Sequence, residues 1–219
     1  MALDPSDCLG GLLAFVPHLY DRSERDAIAA ILRSGDVFVD VGSNIGAYTL
    51  WASRCVGPSG RVLAIEPDEA NYSLLLSNVR RNGFEDRVRI LHCGVSDQRQ
   101  VLRLHRNVTG NCGGHNFLGT GVEGPAVSCI PLDEVLEAEG PLNIRMMKLD
   151  IEGFERRVLE RYFERTSASS RPSYLLVQIE GGPLNRESKQ ALRHLILSNG
   201  YSAVSEGANV LFKRESVTD

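Results

Sequence analysis

Short apolar runs alternate with stretches of helical period from residue 23 to residue 213, and this order constrains the fold more than any other feature of the chain. The runs are Val37–Val41, Arg61–Ile65, Val88–Leu91, Met146–Leu149 and Tyr174–Ile179, each four to six residues long and bounded by turn signals. Such runs read as buried strands. Between and around them, Ser23–Arg33, Ile45–Cys55, Asp68–Asn82, Pro131–Glu139, Phe154–Arg165 and Glu187–Asn199 read as helices. Their apolar side chains return every three or four positions, as Ile28, Ile31 and Leu32 do, or Leu74, Leu75 and Val79. Ser23 is expected to cap the first helix, and Gly35, Gly83 and Gly200 to close helices. Parallel neighbours need a long crossover between them, so alternating strands and helices imply a mostly parallel sheet with helices on both faces. Two further alternating runs, Val101–His105 and Ala126–Ile130, flank a Gly-rich loop. At the end, Tyr201–Ser205 and Val210–Lys213 are joined by Glu206-Gly-Ala-Asn209 and read as a hairpin that adds an antiparallel strand.

The 219 residues are expected to form a single domain, with 1–35 as an N-terminal arm and helix and 36–213 as the core that carries the chemistry. A formal net charge of −4 gives no global attraction to nucleic acid. Arg80, Arg81, Arg87, Arg89, Arg99, Arg103 and Arg106 have no aromatics among them and read as solvated faces, so a nucleic-acid partner is not favoured. No stretch approaches the roughly 18–20 apolar residues of a membrane span. The apolar run Leu9–Val16 is preceded by Asp4 and Asp7 rather than by basic residues, the opposite of a secretion signal. The five cysteines are scattered without a C-x-x-C pair, which suits a reduced, cytoplasmic chain.

Ligands of doubly wound sheets sit at the carboxyl ends of the strands. The first strand ends in Asp40-Val-Gly-Ser-Asn-Ile-Gly46, and the second in Glu66-Pro67. Gly42, Ser43 and Gly46 let the backbone turn tightly and approach a ligand. Asp40 offers a carboxylate to a cationic group, and Glu66, twenty residues after Gly46, can accept from a ribose diol. Together they point to an adenosine-containing ligand. The dinucleotide pattern G-x-G-x-x-G is absent, and an acid at the mouth suits a sulfonium or an amine better than a diphosphate. S-adenosylmethionine is therefore preferred to a nicotinamide cofactor. Two alternatives stay open at this point: a nicotinamide-dependent oxidoreductase, and a non-catalytic module that binds an adenosine ligand.

Five segments carry a resemblance to a known family: Asp40-Val-Gly-Ser-Asn-Ile-Gly-Ala-Tyr-Thr-Leu50, Ala64-Ile-Glu-Pro67, Gly94-Val-Ser-Asp97, Ile130-Pro-Leu-Asp-Glu-Val-Leu136 and Lys148-Leu-Asp-Ile-Glu-Gly-Phe-Glu155. In this order and spacing they resemble the motifs of the FkbM-type class I methyltransferases, over about residues 35–213. The resemblance implies a Rossmann-like sheet of seven strands and S-adenosylmethionine as methyl donor. It implies donor binding by Asp40, Gly42, Ser43, Asn44, Gly46, Glu66 and Pro67, with Gly94, Val95 and Ser96 beside the adenine. It also implies methylation of oxygen, on a hydroxyl or carboxylate of a small molecule, saccharide or peptide. The chain departs from the family in having Ser43 where Ala is common. It departs again in Gly110–Phe117, which is richer in glycine and polar groups than the stretch usual there.

The donor brings its own activation to methyl transfer, so a protein mainly positions two reactants. A hydroxyl acceptor also needs a route for its proton, whereas a carboxylate does not. Strand alternation would put Lys148, Asp150 and Glu152 on one side, where the acceptor should meet the methyl group. Glu180 ends the next strand, ahead of two glycines. His115, flanked by glycines in a loop over the site, is the candidate base. His115, Lys148, Asp150 and Glu180 are thus the catalytic candidates. Gathering of Asp150, Glu152, Glu180 and His115 about a divalent ion is conceivable and not favoured. A homodimer would cover the open mouth of so small a chain.

Overall fold

A computed structural model describes residues 21–106, 115–119, 122–179 and 184–215. The arm before residue 21, most of the Gly-rich loop and Glu180 lie outside the described residues. The chain runs through α1 (Arg22–Ile31), β1 (Val37–Val41), α2 (Ala47–Val56), β2 (Arg61–Ile65), α3 (Glu69–Arg81), β3 (Val88–Leu91), β4 (Gly94–Ser96), β5 (Gln100–Arg106) and β6 (Val122–Pro131). It continues through α4 (Leu132–Ala138), β7 (Ile144–Leu149), α5 (Glu155–Arg165), β8 (Tyr174–Gln178), α6 (Arg186–Ser198), β9 (Tyr201–Ala203) and β10 (Asn209–Arg214).

Seven strands form one sheet in the order β3-β2-β1-β7-β8-β10-β9. The first five are parallel, and β10 is antiparallel to both β8 and β9. The expected doubly wound, mostly parallel sheet with a terminal hairpin is therefore present. The chain order reverses between β1 and β7, which is where such sheets open a crevice at their carboxyl ends.

Alternation within the strands sorts the core into two layers. Val39, Leu63, Met147 and Val177 face α5 and α6 with Val158, Leu159, Leu192 and Ile196. Phe38, Val62, Ala64, Met146 and Leu176 face the other way, against Ile28 of α1, Leu50 and Val56 of α2 and Leu75 of α3. Buried apolar area is the main driving term for both layers. Asp40 and Lys148 have the parity of this second layer and stand opposite each other in the β1–β7 register.

Two local expectations are corrected. Ser23 does not cap α1: the helix starts at Arg22 after Asp21, whose backbone is left-handed, and the Ser23 hydroxyl donates to Glu24 instead. The runs around the Gly-rich loop do not join the main sheet. β5 and β6 pair antiparallel, β6 also pairs in parallel with β4, and the three make a separate small sheet.

Candidate active site

The loop after β1 is built by its backbone. Gly42, Asn44 and Gly46 all have positive φ, at 79°, 51° and 93°. A side chain at Gly42 is impossible, because its Cβ would lie 1.9 Å from the Asp150 carbonyl oxygen. A Cβ on Gly46 would meet Leu75 Cδ1 at 2.5 Å. The loop is moored to the tip of β2: the N–H groups of Gly42 and Ser43 and the Ser43 hydroxyl all donate to the Ile65 carbonyl. Asn44 N–H donates to Glu66 Oε2 at 2.7 Å, and Asp68 N–H donates to Glu66 Oε1 at 3.0 Å. Glu66 is 5 % exposed. Burial pushes its carboxyl up to about 7, against the pull of these two N–H donors. The helix that follows is capped by Asp68, whose Oδ1 accepts from Ala70 and Asn71.

Asp40 lies beneath this loop with no exposed surface. Its Oδ2 accepts from the Thr49 hydroxyl at 2.6 Å, and Lys148 Nζ is 3.8 Å from Oδ1. Oδ1 is buried with no hydrogen bond of its own. Lys148 Nζ is 3.3 Å from Asp150 Oδ2 and 4.8 Å from the centre of the Tyr48 ring. Burial raises the Asp40 carboxyl, and Lys148 and Thr49 offset only part of that. Burial would lower Lys148, but Asp150 and Asp40 outweigh it and hold its proton more tightly than usual. Two carboxylates thus share one buried ammonium.

Alternation does not extend to Glu152, which corrects the expected shared side. β7 ends at Leu149, and Glu152 sits in a turn with φ 51°. Glu155 sets that turn, its Oε1 accepting from Ile151 N–H at 2.8 Å and its Oε2 from Gly153 N–H at 3.0 Å. Glu152 is half-buried, and its carboxylate is hydrogen-bonded to the Gln178 side chain at the end of β8.

His115 stands elsewhere. Its Nδ1 is 3.8 Å from Asp68 Oδ2, beside the tip of β2, whereas Lys148 and Asp150 belong to the tip of β7. β1 lies between these strands, so the separation is about two strand spacings, or roughly 10 Å. The structure unites Lys148 with Asp150 and leaves His115 on the Glu66–Pro67 side. Asn116 exchanges backbone hydrogen bonds with His105, and Phe117 meets Phe154 edge-on at 5.6 Å. Gly94, Val95 and Ser96 form β4, fully packed, and a Cβ on Gly94 would lie 3.0 Å from Phe117 Cζ. The segment 115–119 therefore spans from Asp68, past Gly94, to Phe154. Pro67 contributes its carbonyl to His92 Nε2 at 3.1 Å.

Sequence reasoning did not single out Thr49, Phe117, Glu155 or Gln178. Glu155 had a readable signal, an acid just after Gly153 at a helix start, where carboxylates bind free N–H groups. Among the described residues no group of three His, Cys, Asp or Glu side chains is placed to hold a metal ion. No described helix is long and apolar enough to cross a membrane.

Comparison with known proteins adds four findings. Residues 40–203 match the model of the methyltransferase FkbM domain. The 31-O-demethyl-FK506 methyltransferase FkbM of Streptomyces tacrolimicus is 31% identical over 158 residues, covering 58% of this chain and 60% of that protein. The methyltransferase sdnD of Sordaria araneosa is 34% identical over 99 residues, 44% of this chain and 35% of that one. The chain thus spans about a third to three-fifths of the length of these relatives. Among solved structures, an O-methyltransferase from Bacillus cereus in complex with SAH superposes with a TM-score of 0.55 at 16% identity, covering 94% of this chain and 86% of that chain.

Proposed function

The chain belongs to the FkbM methyltransferase family, and from that premise we propose that it transfers the methyl group of S-adenosylmethionine to an oxygen of a small molecule, saccharide or peptide. The observation that carries the donor assignment is the clamp of Asn44 N–H on Glu66 Oε2. It fastens a side-chain-free cradle at Gly42 and Gly46 to a buried carboxylate at the next strand end. With Asn44 and Asp68 N–H and the Asn71 side chain donating to it, the Glu66 carboxylate keeps one acceptor position for a ribose hydroxyl. Asp40 Oδ1, buried without a hydrogen bond, is an acceptor held under the same loop. These residues fit a nucleoside that carries positive charge.

In this reading Gly42, Ser43, Asn44 and Gly46 line the donor, Glu66 orients its ribose, and Pro67, Gly94, Val95 and Ser96 bound the adenine. When bound, the donor supplies an activated methyl group. Asp40 and Lys148 fix the floor of the site, Asp150 faces the acceptor side, and Phe117 with His115 shields the donor from water. Names of relatives support oxygen as the target: one acts on a demethylated oxygen, and a solved neighbour is called an O-methyltransferase. The test is calorimetric titration with S-adenosylmethionine. Binding is expected in the micromolar range, weakened at least about tenfold by Glu66→Ala, a loss of roughly 1.4 kcal/mol. Equal affinity in the two proteins would remove Glu66 from the donor site.

A further inference from the structure

The acidic groups around the site divide into two kinds. Asp40 is occupied with Thr49 and Lys148, Asp150 with Lys148, Glu66 with Asn44 and Asp68, and Glu155 with Ile151 and Gly153. Each of these holds the frame, and Glu66 in the proposed reading also receives the donor ribose. Glu152 differs. Like Asp150 it is half-buried, but its side-chain hydrogen bond is to Gln178 at the end of β8, and its backbone adopts a left-handed conformation that a residue with a side chain rarely takes. Glu155 imposes that conformation by gripping the N–H groups on either side of it. The turn abuts the donor loop, since the Gly42 Cα approaches the Asp150 carbonyl too closely for any Cβ. A strained turn held by a dedicated carboxylate, at the seam between the donor loop and β8, marks a side chain that is being aimed.

We propose that Glu152 is the general base of the methyl transfer, and that the acceptor group is accordingly a hydroxyl and not a carboxylate. This rests on the methyl-transfer reading above and narrows its substrate class. As the acceptor oxygen bonds to the methyl carbon, its O–H bond breaks and the proton passes to a Glu152 oxygen. The carbon–sulfur bond breaks with its electron pair left on sulfur, giving the neutral thioether, and Glu152 later returns the proton to solvent. Burial raises the Glu152 carboxyl to about 7, with Asp150 and Glu155 adding to the rise, while Gln178 and Lys148 pull it down. A base poised there is half-ionised at neutral pH and strong enough to share a hydroxyl proton in the transition state. An acceptor carboxylate would need no base. It would also add a further negative charge beside Asp150, Glu152 and Glu155, which like-charge repulsion opposes.

The experiment combines three readouts on the unaltered protein and on Glu152→Gln and Glu152→Asp. Calorimetry with S-adenosylmethionine should give the same affinity for all three. Transfer of tritiated methyl to a pooled library of alcohols, phenols, sugars and carboxylic acids should yield label that survives alkali, as ethers do and methyl esters do not. Glu152→Gln should lower that transfer on the order of 10²–10⁴-fold, with Glu152→Asp retaining part of it. Carbon-13 spectra of glutamate-labelled protein should show a carboxyl titrating near 7 that vanishes in Glu152→Gln, and the transfer rate should rise through the same pH. Alkali-labile label, or undiminished transfer by Glu152→Gln, overturns the inference while leaving the methyltransferase reading in place. Equal losses in both variants together with weakened donor binding would assign Glu152 a role in loop shape only, and would also overturn it. Failure of the unaltered protein to bind the donor would instead sink the earlier reading.

Discussion

At Lys148 one buried ammonium answers two carboxylates, Asp40 buried beside it and Asp150 partly exposed. Asp40 has no exposed surface and Lys148 is 2 % exposed. Such a trio is costly to assemble and costlier to break, because removing the cation leaves a buried charge without compensation. Lys148→Met is therefore expected to destabilise the fold by about 3–5 kcal/mol, measured by urea unfolding at pH 7.5. The loss should shrink when Asp40→Asn is added, since the neutral amide no longer needs the cation. If the double variant is no better than the single one, the coupling is not electrostatic. Chain order made Asp40 and Lys148 visible as strand-end residues. Their direct pairing required knowing that β1 and β7 are neighbours, and strand order is not written in local periodicity.

At the scale of elements, the turn between β7 and α5 owes its shape to one side chain. Each Glu155 oxygen accepts from a different N–H, at Ile151 and at Gly153. Burial pushes the carboxyl up to about 7, although the N–H donors resist that shift. Glu155→Gln keeps the size but loses one acceptor, leaving a buried N–H unsatisfied at a cost of about 1–3 kcal/mol. We expect a lowered unfolding midpoint and faster amide hydrogen exchange confined to the turn; unchanged exchange at Ile151 and Gly153 would refute that role. Most of the elements were legible to within a residue or two, but β6 begins at Val122, four residues ahead of the expected run. β2 and β3 begin and end where their apolar runs do, and α3 lies within Asp68–Asn82. β4 escaped notice because three residues carry no period, and the small sheet escaped because a side-by-side pairing of β4 with β6 depends on contacts distant in sequence. Glu152 was misplaced because alternation was carried one turn past the last residue of β7.

For the whole molecule, three carboxyls with raised values change how stability responds to pH. Glu66, Glu152 and Glu155 each titrate at about 7 in the folded chain, mainly because burial disfavours the ion. In the unfolded chain they would titrate near their ordinary value of about 4.3. Between those limits the folded state binds more protons, so stability rises as pH falls from about 7 towards 4.3 and is lowest above 7. The thermal midpoint at pH 5.5 should exceed that at pH 8, and Glu155→Gln should flatten the difference; a midpoint that climbs with alkalinity would contradict the sign. The contact of Gly42 with the Asp150 carbonyl has a further consequence. The loop after β1 and the turn after β7 meet there backbone to backbone, with no compressible side chain as a gasket. If that loop seats the donor as proposed, retuning such a chain for a new acceptor cannot begin at that joint without disturbing it. In the proposed reading, changes of acceptor are then expected in segments that hang from the frame and not at this rigid joint.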